Sequence, residues 1–160
     1  MTKTDLHKCF VEKLSQQLQE MTEATRNAIS DVTNPEHKAR SKYETFSLES
    51  SYLARGQSLR VEELRDSLAK LRAMPLKPFA YTDPIQVGAV VIVMDEQGEE
   101  AVYFISTAEG GVEITTEDGP ANLITPASPI GKALMGKRAG DLFQLGNSTN
   151  LKTFSILFVE

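Results

Sequence analysis

Cysteine, histidine and tryptophan are almost missing from this chain, and each shortage closes off a class of chemistry. Cys9 is the only cysteine, so neither an internal disulfide framework nor a zinc ribbon can form. Beside Phe10 in a helical pattern, Cys9 reads as a small packing residue, not a reactive thiol. The two histidines, His7 and His37, stand far apart, which leaves no metal-ligand spacing and no Ser–His–acid grouping. There is no Trp, aromatics make up 7% and hydrophobic residues 41%, a balance suited to a chain that buries only a narrow stripe over part of its length. No apolar run approaches the roughly 18 residues of a membrane span, and no apolar stretch follows Lys3 as in a signal peptide. A cytoplasmic protein without a membrane partner is expected. No glycine-rich phosphate loop is present either: Gly131-Lys132 and Gly136-Lys137 lack the following Ser or Thr. The net charge of −5 advertises no nucleic-acid surface. The expectation is a non-enzyme with no metal or cofactor of its own.

Glycine and proline divide what remains. Residues 1–74 hold one glycine, Gly56, and one proline, Pro35; the other nine glycines and six prolines follow from Pro75 on. Turns are therefore frequent only in the second half. Charge divides the chain at the same place. Residues 1–76 carry 12 Lys/Arg against 11 Asp/Glu, a net of +1, and residues 77–160 carry 5 against 11, a net of −6.

The first half reads as two long helices. Leu6, Phe10, Leu14, Leu18, Met21, Thr25, Ala28 and Val32 recur at spacings of three and four. Thr2 or Thr4 is placed to cap the start, with Asp5 in the first turn. The pattern stops at Asn34-Pro35 and resumes through Phe46, Leu53, Gln57, Val61, Leu64, Leu68 and Leu71. Gly56 within this second run suggests a close approach to the partner helix. Neither helix can bury a stripe alone, so an antiparallel coiled-coil hairpin over residues 1–76 is expected, with arms of about 45 Å.

The second half alternates short apolar runs with turn signals. Val87–Met94 and Ala101–Ser106 flank Asp95-Glu96-Gln97-Gly98, and Val112–Thr116 and Ala121–Thr125 flank Glu117-Asp118-Gly119-Pro120, as in two hairpins. Lys152–Val159 closes the chain. Between them one short helix is expected over residues 128–136, with Ser128 as N-cap, Pro129 first inside and Gly136 at the end. The fold class is α+β, a helical hairpin followed by a β-rich domain over residues 77–160.

Function-bearing residues are sparse. Asp31, Glu36, Glu44 and Glu49 fall at or near the hairpin tip, where carboxylates could help hold a magnesium ion in another protein's active site. Solvated helix-end charge is the plainer account of all four.

Two stretches resemble a known family. Ser128-Pro129-Ile130-Gly131-Lys132-Ala133-Leu134-Met135-Gly136-Lys137-Arg138-Ala139-Gly140-Asp141 is similar to the SPxGxALxGxxxGD signature of bacterial Gre-type (GreA/GreB) transcript-cleavage factors. More loosely, Lys42-Tyr43-Glu44-Thr45 with Leu48 to Gln57 resembles the second hairpin helix of Gre-like proteins. The resemblance implies an FKBP-like fold for residues 77–160. It also implies docking on core RNA polymerase at the secondary-channel rim through Ser128, Pro129 and Ile130, with Asp141 at the signature's last position. The coiled coil would then approach the polymerase Mg²⁺, with indirect contact to nascent RNA, and any RNA cleavage would belong to the polymerase. At the tip the sequence departs from cleavage-stimulating Gre factors, which carry an Asp and a Glu three residues apart. Ser47 stands three residues after Glu44, and the pairs Glu44/Glu49 and Asp31/Glu36 are both five apart. A regulator that occupies the channel without cleavage fits the resemblance as well. From other classes, an FKBP-like prolyl isomerase or chaperone would need an aromatic pocket, for which Tyr81, Tyr103, Phe104, Phe143, Phe154 and Phe158 are available. A plain coiled-coil scaffold would oligomerise through residues 5–73.

Overall fold

The computed structural model describes residues 1–33 and 43–160. Two long helices, α1 (Lys3–Thr33) and α2 (Tyr43–Ala73), come first. They are followed by β1 (Val90–Asp95), β2 (Glu100–Ile105), β3 (Val112–Thr116), β4 (Gly119–Ile124), α3 (Pro129–Leu134), β5 (Leu142–Asn147) and β6 (Asn150–Val159). The α+β class is as the sequence led one to expect. The chain forms two compact units, one of Met1–Glu12 with Ala69–Glu160 and one of Lys13–Leu68.

Helix α1 starts with a reciprocal bond. The Thr2 hydroxyl donates to the Asp5 carboxylate at 2.6 Å, the Thr2 N–H donates to the same oxygen at 3.2 Å, and the Asp5 N–H donates back to Thr2 Oγ1 at 3.2 Å. Two orphan donors of the first turn are thus satisfied by one residue pair. The hydroxyl and then the backbone N–H of Thr2 hold the Asp5 carboxyl below the usual carboxylate range.

Within Lys13–Leu68, Leu14 and Thr25 on α1 and Ala54, Val61, Leu64 and Leu68 on α2 are buried, the α2 set at spacings of seven, three and four. The expected stripe needs two corrections on α2. Leu53 is 63% exposed, because the buried phase runs through its neighbour Ala54, about 100° further round the helix. Gly56 marks no close approach, since a Cβ built there would meet nothing within 4 Å. Among the described residues, two buried side-chain atoms of this unit, Thr25 Oγ1 and Gln57 Oε1, have no hydrogen-bond partner.

The other unit is built on one six-stranded sheet of order β3-β4-β2-β1-β6-β5. Both expected hairpins form: β1 and β2 pair antiparallel with Met94 opposite Glu100, and β3 and β4 with Thr116 opposite Gly119. β4 then lies parallel to β2, Phe104 opposite Leu123, a pairing that short-range pattern cannot reveal. β5, which the sequence reading did not assign, is an edge strand paired with β6 from Leu142–Ser155 to Asn147–Asn150.

Alternation gives this sheet two apolar faces. Val91, Val93, Ile105, Ile124 and Ile156 bury one of them with Leu134 of α3, and Phe143 stacks on its cross-strand neighbour Phe154 at 5.2 Å. On the other, the fully buried Phe104 meets Phe10 and His7 of the first turns of α1, each at 6.0 Å. His7 Nε2 donates to the Leu71 carbonyl near the end of α2 at 2.8 Å. Lys3, only 6% exposed, donates from Nζ to the carbonyls of Lys77 (2.6 Å) and Glu160 (3.0 Å) and lies 4.4 Å from the centre of the Phe79 ring. Burial lowers the Lys3 pKa, with the negative charge of Glu160 opposing that shift.

Candidate docking site

The loop that enters α3 is assembled around one carbonyl. Thr125 O accepts both the Ser128 N–H (3.1 Å) and the Ser128 hydroxyl (2.8 Å), while Ser128 Oγ accepts the Gly131 N–H at 3.0 Å. Ser128 is therefore the N-cap, held in an extended conformation, and Pro129 takes the first helical position, where no N–H is needed. The turn is so tight that a Cβ at Gly131 would lie 2.0 Å from Thr125 O, so no other residue fits. Gly136, at a φ of +78°, ends the helix in the left-handed region.

The far side of this short helix is fastened by backbone. Gly136 N–H donates to Ile85 O at 2.9 Å, and Ile85 N–H donates to Lys137 O at 2.7 Å. Arg138 Nε donates to Thr82 O at 2.8 Å. The Asp141 carboxylate accepts the Arg138 N–H at 2.8 Å, so this acid closes its own turn. The result is a rigid apolar point, exposed Pro129 and half-buried Ile130, on a helix whose far end carries cations. Lys132 lies in its last turn, and Lys137 and Arg138 follow its end.

The tip candidates are placed differently. Asp31 lies on α1, Glu44 and Glu49 on α2, and Glu36 falls outside the described residues. Glu49 is exposed. Five residues apart in one continuous helix, Glu44 and Glu49 occupy positions about 140° apart around its axis, so that helix does not bring them together. Among the described residues no group of three or more His, Cys, Asp or Glu could hold a metal ion, and no helix is long and apolar enough to cross a membrane.

Of the six aromatics considered for a pocket, Phe104 and Phe143 are buried, Tyr103 and Phe154 pack against the core, and Tyr81 and Phe158 are exposed on the surface. The supports that sequence reasoning missed are the Thr125 carbonyl and the Arg138–Thr82 link, since neither a backbone acceptor nor a contact across 56 positions has a local signal.

The capped loop falls within the part of the chain that matches a known family. Residues 80–160 match the family model described as transcription elongation factor, GreA/GreB, C-terminal. GreA of Rickettsia prowazekii is 33% identical over 101 residues, covering 63% of this chain and 59% of that protein; the chain thus aligns with about three fifths of the length of such relatives. GreA of Rickettsia felis is 29% identical over 154 residues, covering 93% of this chain and 89% of its own length. Among solved structures, GreA factor homolog 1 of Thermus thermophilus is 27% identical with a TM-score of 0.39, covering 94% of each chain. Because the matched half holds the Ser128 cap, the tight glycine and the strands that carry them, this chain belongs to the GreA/GreB family of transcription elongation factors.

Proposed function

We propose that this chain binds bacterial RNA polymerase and acts on paused or backtracked elongation complexes. It docks through Ser128, Pro129 and Ile130 and directs its helical hairpin toward the secondary channel. The observation that supports this reading is the family match over residues 80–160, which contains the entire capped loop. The chain contributes no catalyst: any Mg²⁺ involved is the polymerase's, and contact with nascent RNA is indirect. The test is co-purification with core polymerase together with an assay of paused complexes. Failure to bind, with no effect on pausing, overturns the reading.

Within this function the placement of Glu44 and Glu49 favours channel occupancy over stimulated cleavage. Backbone positions 44 and 49 stand about 140° apart around one helix, a spacing unlike that of a joint ligand pair for a single ion. A backtracked complex with Mg²⁺ is expected to release no more short 3′ fragments with the protein than without it. Release that disappears in the Glu44→Ala/Glu49→Ala double variant would reverse this choice.

A further inference from the structure

The unit built on the sheet carries a cavity that the docking reading does not use. Its volume is about 760 Å³, within the range of about 300–1,000 Å³ typical of small-molecule sites. The apolar lining includes Met74, Pro78, Phe79 and Val87, and the cations are Lys70 and Lys77.

Three observations say what it would take. First, the walls are set in advance. Pro75 and Pro78 fix the backbone on either side of Lys77, whose carbonyl is held by the buried Lys3 ammonium at 2.6 Å. Pro75 O lies 3.4 Å from where a Cβ on Gly88 would stand, so the opposite loop closes tightly against it. A preformed apolar wall avoids the ordering cost that weakens most sites. Second, the charge is inverted locally. Residues 1–12 and 69–160, the unit that holds it, carry 9 Lys/Arg against 13 Asp/Glu, a net of −4, yet the cavity is lined by two lysines and one acid, Asp83, whose carboxylate already accepts the Ala80 N–H at 2.8 Å. Among the described residues neither lysine ammonium is in a salt bridge. Third, the size and surroundings exclude a polyanion. An excess of one positive charge over Lys70, Lys77 and Asp83 suits a small anion and not a polyanion.

We propose that this cavity binds a small amphipathic anion, its apolar body against Met74, Phe79 and Val87 and its charged end at Lys70 and Lys77. The site is separate from Ser128–Ile130, so its test is independent of polymerase binding. The probe is anilinonaphthalene sulfonate, with decanoate as competitor and the neutral phenylnaphthylamine as control, titrated into the full chain and followed by fluorescence and amide chemical shifts. The expected result is one saturable site with Kd on the order of 10 µM, displaced by decanoate, with shifts centred on Phe79, Val87 and Thr107. The Lys70→Glu/Lys77→Glu double variant, with melting unchanged, should weaken the sulfonate by about tenfold or more and leave the neutral control unaffected. Absence of saturation, shifts centred elsewhere, or an unchanged affinity in the double variant overturns the proposal.

Discussion

The two units treat a buried polar atom in opposite ways. In the sheet-bearing unit, Ser106 is fully buried and its hydroxyl both donates to Ala108 O and accepts from Ala108 N–H, while the buried Lys3 ammonium has two carbonyls and a ring face. In the helical unit Thr25, 6% exposed, has no partner for its hydroxyl among the described residues, and neither has Gln57 for its carbonyl oxygen. A sheet with loops on every side has spare backbone groups to offer such a side chain. A helix offers only the carbonyl one turn back, which Thr22 and Ser58 reach at Leu18 O and Ala54 O, at 2.6 and 2.9 Å, but Thr25 does not. Polar contacts in the sheet-bearing unit thus reach across the fold, whereas those of the helical unit, such as Gln16–Glu20 and Thr22–Leu18, stay within one turn.

Substitutions can break that contrast or sharpen it. The largest effect should come from Phe104→Ala, which empties the space between the sheet and Phe10; a loss of about 4 kcal/mol is expected by chemical denaturation. A loss no larger than for an exposed residue would mean that Phe10 and Phe104 do not share a core. Gly131→Ala follows, at about 3 kcal/mol, because its Cβ would be driven into Thr125 O and the capped loop must move. Gly56→Ala, with open space around it in α2, has the opposite sign and should gain up to about 1 kcal/mol. Thr25→Val removes an unpartnered buried hydroxyl without changing shape and should stabilise the helical unit by about 1 kcal/mol, read from its hydrogen-exchange protection. Destabilisation by that change would show the hydroxyl to be bonded after all.

The smallest effect is one of pH. The Asp5 carboxyl titrates below its ordinary range, chiefly through the Thr2 hydroxyl. Its contribution is complete above the ordinary Asp pKa and is lost as pH falls through the lowered value in the folded chain. Amide protection in the first turn of α1 should decline over that acid window and become independent of pH there in Asp5→Asn.

Local signals were legible wherever a residue acts on its own neighbours. Ser128-Pro129 and Gly136 each alter the backbone within a turn of themselves, so α3 could be read directly; the interruption expected at Pro35 lies outside the described residues. Leu142-Phe143-Gln144-Leu145 gave only a weak alternation that ends in Gly146-Asn147. What makes it a strand is β6, which begins at Asn150, two residues before its apolar run. The parallel register of β2 and β4 was equally out of reach, since it depends on where β3 turns back. On α2 the periodicity was found but its phase was not. Leu53 looks as apolar as any core residue, and only the neighbouring helix decides that Ala54 faces inward. At the candidate site the cap was readable for the same reason that α3 was, whereas the relation of Glu44 to Glu49 required knowing that the helix already runs through both.

Because Met1–Glu12 packs with Ala69–Glu160, the sheet-bearing unit is discontinuous along the chain, with all of Lys13–Leu68 inserted between its parts. During synthesis Phe10 and His7 leave the ribosome long before Phe104, so the opening turns of α1 must wait for their seat. Closing the sheet-bearing unit therefore means bringing together segments separated by 56 residues, a closure whose entropic cost grows only slowly with the length between them.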